Sequence, residues 1–130
     1  MSNKIIGGEY AIDKTTESNS DMTGKHNLYP SGRAALRAIL NHALPNGSGS
    51  VLIPDHICGS VPQTVSKMGL TCCFYHINED FTVDTDSIAS NLPEVDAILL
   101  VNYFGMIPST QIDQLTDHIR SIKSGITVMP

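Results

Sequence analysis

The segment Tyr29-Pro30-Ser31-Gly32-Arg33-Ala34-Ala35-Leu36 holds the residue types and spacing best suited to chemistry. A turn ends in Ser-Gly and an apolar-striped helix begins at once. The first backbone N–H groups of such a helix lack intrahelical partners, and with the helix dipole they draw an anion such as phosphate. Gly32 permits close approach of a ligand to the backbone, and the Arg33 guanidinium can add a charge-assisted contact. The same residues also describe an ordinary capped helix with a solvated arginine, so the residues alone leave both readings open. Neither GxGxxG nor GxxxxGKS/T accompanies the segment, which removes the dinucleotide and P-loop fingerprints.

The three cysteines are Cys58, Cys72 and Cys73. An odd count without CxxC spacing is neither a zinc site nor a disulfide framework. Cys72 and Cys73 are adjacent in a β-rich run and so face opposite sides of a sheet. Buried free thiols are the expectation for all three.

The remaining sequence must position these residues. The 130-residue chain is one domain at most, 41% hydrophobic and 16% charged. Its net charge of -5 and its scattered eight Lys and Arg exclude the basic stripe of a nucleic-acid binder. No apolar run approaches the roughly 20 residues needed to span a bilayer. No signal-peptide apolar segment follows Met1, so a cytoplasmic protein is expected.

Ile5 to Ile12 reads as a short strand or extended arm, and Asp13 to Lys25 as a loop or mobile arm. Leu36, Ile39, Leu40, Ala43 and Leu44 share a helix face; Ser31 is its N-cap and Pro45-Asn46-Gly47 its stop. Val51 to Pro54 reads as a short buried strand. Further helices are expected over Ser60–Met68, Thr85–Leu92 and Ser109–Ser124, the last turning Ile112, Leu115, Ile119 and Ile122 inward. Further strands are expected at 71–77, 96–101 and from Ile126. Alternating strands and helices joined by short turns predict an α/β fold: three layers, a mostly parallel sheet with flanking helices. The chain stops at an apolar strand rather than in polar sequence, so an incomplete domain is expected.

In order and spacing, Gly7-Gly8-Glu9-Tyr10, Ser31 to Leu36, Val51 to Pro54, Phe74-Tyr75-His76-Ile77 and Val101-Asn102-Tyr103-Phe104-Gly105 resemble the first third of the DegT/DnrJ sugar aminotransferases. That resemblance implies part of the large domain of an aspartate-aminotransferase-like fold, with residues 1–28 as an arm and 29–130 as an incomplete pyridoxal-phosphate (PLP) domain. It implies that Ser31, Gly32 and Arg33 hold the cofactor phosphate. The family's ring-stacking aromatic aligns with Cys58, with His56 two residues before it; each either contacts the ring or is a plain histidine at a helix start and a buried thiol. Asn102 falls in a strand-end turn near the cofactor. Tyr103 and Phe104 beside it either face ligand or pack in the core.

The family also needs an acid for the pyridine nitrogen and a Schiff-base lysine. Lys4, Lys14, Lys25, Lys67 and Lys123 match no family lysine motif, and Lys67 and Lys123 read as solvated helix-end cations. The implied function is an N-terminal portion of a PLP-dependent aminotransferase for nucleotide-linked keto-sugars, a homodimer when whole and not catalytic alone. The alternatives are a non-catalytic phosphate- or nucleotide-binding module, or a truncated partner that docks on a homologue. The resemblance further implies that Val51–Ile53 lies at a sheet edge, separated from its neighbours by later strands.

Overall fold

A computed structural model describes residues 28–129. The arm expected over residues 1–28, with its Gly7-Gly8-Glu9-Tyr10 motif and Lys4, Lys14 and Lys25, lies outside the described residues except for Leu28. The elements are α1 (Gly32–Ala43), β1 (Ser50–Pro54), α2 (Ser60–Lys67), β2 (Thr71–Tyr75), α3 (Thr85–Asn91), β3 (Ala97–Leu99), α4 (Ser109–Ile122) and β4 (Thr127–Met129). A 3-10 turn follows α3 at Leu92–Glu94, and another follows β3 at Tyr103–Gly105.

Side chains cap the starts of α1 and α3, while α2 and α4 start without one. The Ser31 hydroxyl accepts from the Ala34 N–H at 3.2 Å, the N-cap expected for α1, and is worth about 1 kcal/mol. Asp84 caps α3 in the same way through the Ser87 N–H. Gly69 closes α2 with a left-handed backbone, φ 78°, whereas α1 ends at Leu44 before Pro45, with Gly47, φ 67°, in the turn that follows.

All four strands are parallel, in the order β2-β1-β3-β4. The alternation of side chains along β1 sends Val51 and Ile53 to one face and Leu52 to the other. On the first face they meet Leu36 and Leu40 of α1 and Val65 of α2. On the second, Leu52 meets Ile88 of α3 and Ile119 of α4. The result is the expected three-layer α/β arrangement. Full burial of each such side chain contributes about 1.5–3 kcal/mol. Cys72 packs toward the first layer and Cys73 toward the second, as adjacent strand residues must.

Several expectations are corrected. β1 is not an edge strand: it is paired to β2 along Ser50–Pro54 and to β3 at Val51 and Leu52. The connection through α2 lays β2 on one side of β1, and the connection through α3 carries the chain back to its other side. Strand 71–77 ends at Tyr75, because the N–H groups of His76 and Ile77 are taken by the Ser87 hydroxyl and the Asp55 carboxylate. Ile122 is largely solvent-facing, since α4 buries only Ile119 fully. Lys123 is not simply solvated: its Nζ donates to the Pro93 carbonyl at 3.2 Å and the Val95 carbonyl at 2.6 Å, tying the end of α4 to the turn before β3.

The loop into β1 depends on Gly49, with φ 134°. A Cβ there would lie 2.9 Å from Asp96 Oδ2, which is held in place by the Ser50 N–H. Gly47 is left-handed but has open space around it. Gly49→Ala is expected to cost about 2–3 kcal/mol and Gly47→Ala about 1 kcal/mol, read from urea unfolding midpoints; equal costs would contradict the clash.

Candidate functional site

β1 sends its chain first toward β2 on one side, while β3 lies on its other side. This is the topological switch point, where ligands of open α/β sheets bind beyond the carboxyl ends of the strands. Two adjoining hollows occupy that end, with Ile57 in both walls.

Pro54 opens them. Asp55 gives its N–H to the Tyr75 carbonyl of β2 at 2.8 Å, so the preceding residue faces β3. Pro54 has no N–H to give, and the β1–β3 ladder stops at Leu52 and Ile98. The Leu99 carbonyl instead accepts from the hydroxyl of buried Tyr75, at 2.9 Å, reaching across from β2. Burial pushes that phenol well above its ordinary range.

The first hollow is lined by Ser31, Gly32 and Arg33 of α1 and Ser60 of α2, with Ile57, Leu99 and Val101 as apolar wall. The N–H groups of Ala34 and Ala35 are taken by the Ser31 hydroxyl and carbonyl. Those of Gly32 and Arg33 have no partner among the described residues, and both residues are exposed. The start of α1 therefore offers two open amides, the donor hydrogen of the Ser31 hydroxyl and a guanidinium. That donor set fits a phosphate.

Cys58 stands between the two helix starts and is exposed, which corrects the expectation of a buried thiol. Its Sγ accepts from the Ser60 hydroxyl at 3.3 Å. That hydrogen bond, then one from the Ser60 N–H and the nearby Arg33 charge, holds the thiol below its ordinary range. Burial, and after it the neighbouring Cys73, pushes Cys72 the other way.

The second hollow is lined by Asp55, His56, Cys58, Phe81, Tyr103 and Phe104 around the shared Ile57. The Tyr103 hydroxyl donates to the His56 carbonyl and pins the two walls together. Phe104 is 81% exposed and so not a core aromatic, while Tyr103 is half-buried and packs against the core around Tyr75 and Leu100. Phe81 and Phe104 both hold left-handed backbones, φ 65° and 57°, a conformation that costs a bulky residue about 1–3 kcal/mol. Asp55 Oδ1 accepts from the Ile77 N–H at 3.0 Å, and Oδ2 lies 2.8 Å from His76 Nδ1.

The sequence-derived candidates thus divide. Ser31, Gly32 and Arg33 line one hollow, His56 lines the other, and Cys58 lies at their junction. Asn102 lines neither. Its amide closes the loop after β3, with Nδ2 donating to the Ile107 carbonyl at 2.9 Å and Oδ1 accepting from the Ile107 N–H at 3.0 Å. It borders a separate apolar cavity of about 40 Å³. Sequence reasoning passed over Asp55, Ser60 and Phe81. Asp55 and Ser60 carry a faint signal, one just past the strand-ending proline and the other at a helix start. Phe81 carries none, since nothing local marks a left-handed phenylalanine. Among the described residues no His, Cys, Asp and Glu cluster could hold a metal ion, and no helix is long and apolar enough to cross a membrane.

The four-stranded parallel sheet with its flanking helices matches part of an aspartate-aminotransferase-like fold. Solved structures carry that statement. A PLP-bound C-S lyase from Staphylococcus hominis matches with a TM-score of 0.59 and 12% identity, over 74% of this chain and 27% of that one. A sugar aminotransferase from Micromonospora echinospora matches with a TM-score of 0.58 and 20% identity, over 75% of this chain and 28% of that one. At such identities the likeness shows the fold alone, and the chain spans little more than a quarter of either structure. No protein-family model and no curated protein matches the sequence.

Two outcomes follow for the site. Cys58 should react with Ellman's reagent well before Cys72 and Cys73, and Ser60→Ala should slow it; equal rates for all three thiols would contradict the assigned environment. The Asp55 carboxyl lies below its ordinary 3.8, first through its hydrogen bond with His76 and then through the Ile77 N–H. Its contribution to stability is complete above that ordinary value and fades as pH falls through the lower folded one. The stability gap between wild type and Asp55→Asn, measured by chemical unfolding, should therefore be present at pH 7 and close in acid. A gap that widened in acid would reverse the assignment.

Proposed function

We propose that this chain is the N-terminal, phosphate-holding portion of a PLP-dependent aminotransferase acting on a nucleotide-linked keto-sugar, in sugar or surface-polysaccharide biosynthesis. One observation carries the reading: the open Gly32 and Arg33 amides lie in a crevice at the switch point of a sheet shared with PLP-bound proteins. The presence of a sugar aminotransferase among the matching structures, and the DegT/DnrJ-like order of motifs, support the finer assignment. The reading carries with it a cytoplasmic homodimer and a small-molecule sugar substrate.

In this reading Ser31, Gly32 and Arg33 bind the cofactor phosphate. The apolar wall of Ile57, Leu99 and Val101 keeps water from its flank, and Cys58 and His56 border the ring. When bound, PLP supplies an aldehyde that carries an amino group and a ring that takes up electrons. This chain's residues hold and orient it. Among the described residues no lysine lines either hollow, and the one acid that does, Asp55, is held in direction by His76 and the Ile77 N–H.

Calorimetry with pyridoxine 5′-phosphate tests this without interference from lysines, because that compound has no aldehyde. It should bind, unphosphorylated pyridoxine should not, and Arg33→Ala should weaken binding by about tenfold or more. Equal binding of pyridoxine would remove the phosphate cradle. A preference for simple nucleotides would favour the non-catalytic nucleotide-binding module instead.

A further inference from the structure

Beyond the edge that His56 and Cys58 lend to a cofactor ring in that reading, the second hollow has an aromatic chemistry of its own. Phe81 lies at the centre of four rings: its centroid is 5.6 Å from His56, 5.7 Å from Tyr103 and 5.5 Å from Phe104. His56 and Tyr103 close the set at 5.9 Å. The rings are crossed rather than stacked, with interplanar angles from 39° to 87°. Crossed rings cannot cover all of one another's faces, and the ring of Phe104 is left mostly bare. Aromatic faces are electron-rich and attract cations. The hollow also contains the Asp55 carboxylate, fixed in direction by the Ile77 N–H and His76.

We propose that this hollow binds an organic ammonium group, held over the faces of Phe81, Tyr103 and Phe104 with the Asp55 carboxylate as its counter-charge. An anion is excluded by the same carboxylate. A neutral apolar group is disfavoured, because covering Asp55 would strip water from a charge and return nothing. A cation satisfies both the rings and the carboxylate. The walls are set in advance: the hydroxyl of Tyr103 is tied to the His56 carbonyl, and Phe81 and Phe104 are kept in left-handed backbones that a free chain would abandon. Arg33 sets the limit of the site. It lines the other hollow, so the ammonium is placed on the far side of Ile57 from it. The proposal does not depend on what fills the phosphate crevice.

Tetramethylammonium chloride is the probe and neopentyl alcohol its neutral counterpart of similar shape. Each is titrated into the intact chain at constant ionic strength while the aromatic ring signals are followed by NMR. Tetramethylammonium should shift the Phe81, Tyr103 and Phe104 signals saturably, and neopentyl alcohol should not. Phe104→Ala alters a surface residue and keeps the fold, and it should weaken binding about two- to fivefold. Phe104→Trp should restore it, and Asp55→Asn should weaken it by at least as much as Phe104→Ala. Equal binding of the alcohol would make this a plain apolar patch and overturn the proposal. So would the absence of any saturable shift, or affinity unchanged in both Phe104→Ala and Asp55→Asn.

Discussion

A missing N–H at Pro54 shapes this end of the molecule. Parallel strands stay zipped while each residue supplies a donor and an acceptor to its neighbour. β1 keeps doing so toward β2, through Asp55, but at residue 54 it has nothing to give β3. The two strands part company there. Everything of chemical interest gathers in the gap: the start of α1, the start of α2, the thiol between them and the aromatic loop after β3. A residue with a donor at position 54 would allow the ladder to run on and narrow the space.

The gap is divided in polarity as well as in space. On the α1 side two open amides and Arg33 gather positive potential. On the side of the aromatic rings, Asp55 and the ring faces gather negative potential. Ile57 stands between as an apolar partition, and Cys58 sits at the junction with its thiol biased toward the anion by Ser60 and Arg33. Two halves of opposite sign a few residues apart suit a ligand, or two ligands, with matching opposite ends.

Much of the fold was legible in the sequence, because the signals there are local. Leu36 and Leu40 repeat at helical spacing, Ser31 and Asp84 are cap residues, and Val51 to Pro54 is too short and apolar for anything but a buried strand. The place of β1 in the sheet was not legible, and analogy assigned it to an edge. Strand order follows from which layer each helix packs on, a long-range matter that no window of sequence contains. The open helix start from Ser31 to Arg33 was readable, since a helix start carries its own chemistry. The aromatic hollow was not. It joins residues 55, 81 and 104 from three separate loops, and two of its walls rest on backbone conformations that phenylalanine seldom adopts. Asn102 shows the reverse: a residue near the site by alignment whose amide donates to and accepts from Ile107 in closing its own loop and lines neither hollow.

Tyr75 gives the crevice a mechanical character. Its ring lies buried under the central strand, and its hydroxyl holds a carbonyl two strands away, so it works as a crossbar beneath the gap that Pro54 leaves. The floor is braced and the strands on either side are not free to splay. Whatever accommodation a guest requires must come from the loops above, the 3-10 turn at Tyr103–Gly105 foremost, while the base keeps its width. A side chain at position 75 has to match the span in length and end in a donor, which among the natural amino acids leaves tyrosine little competition.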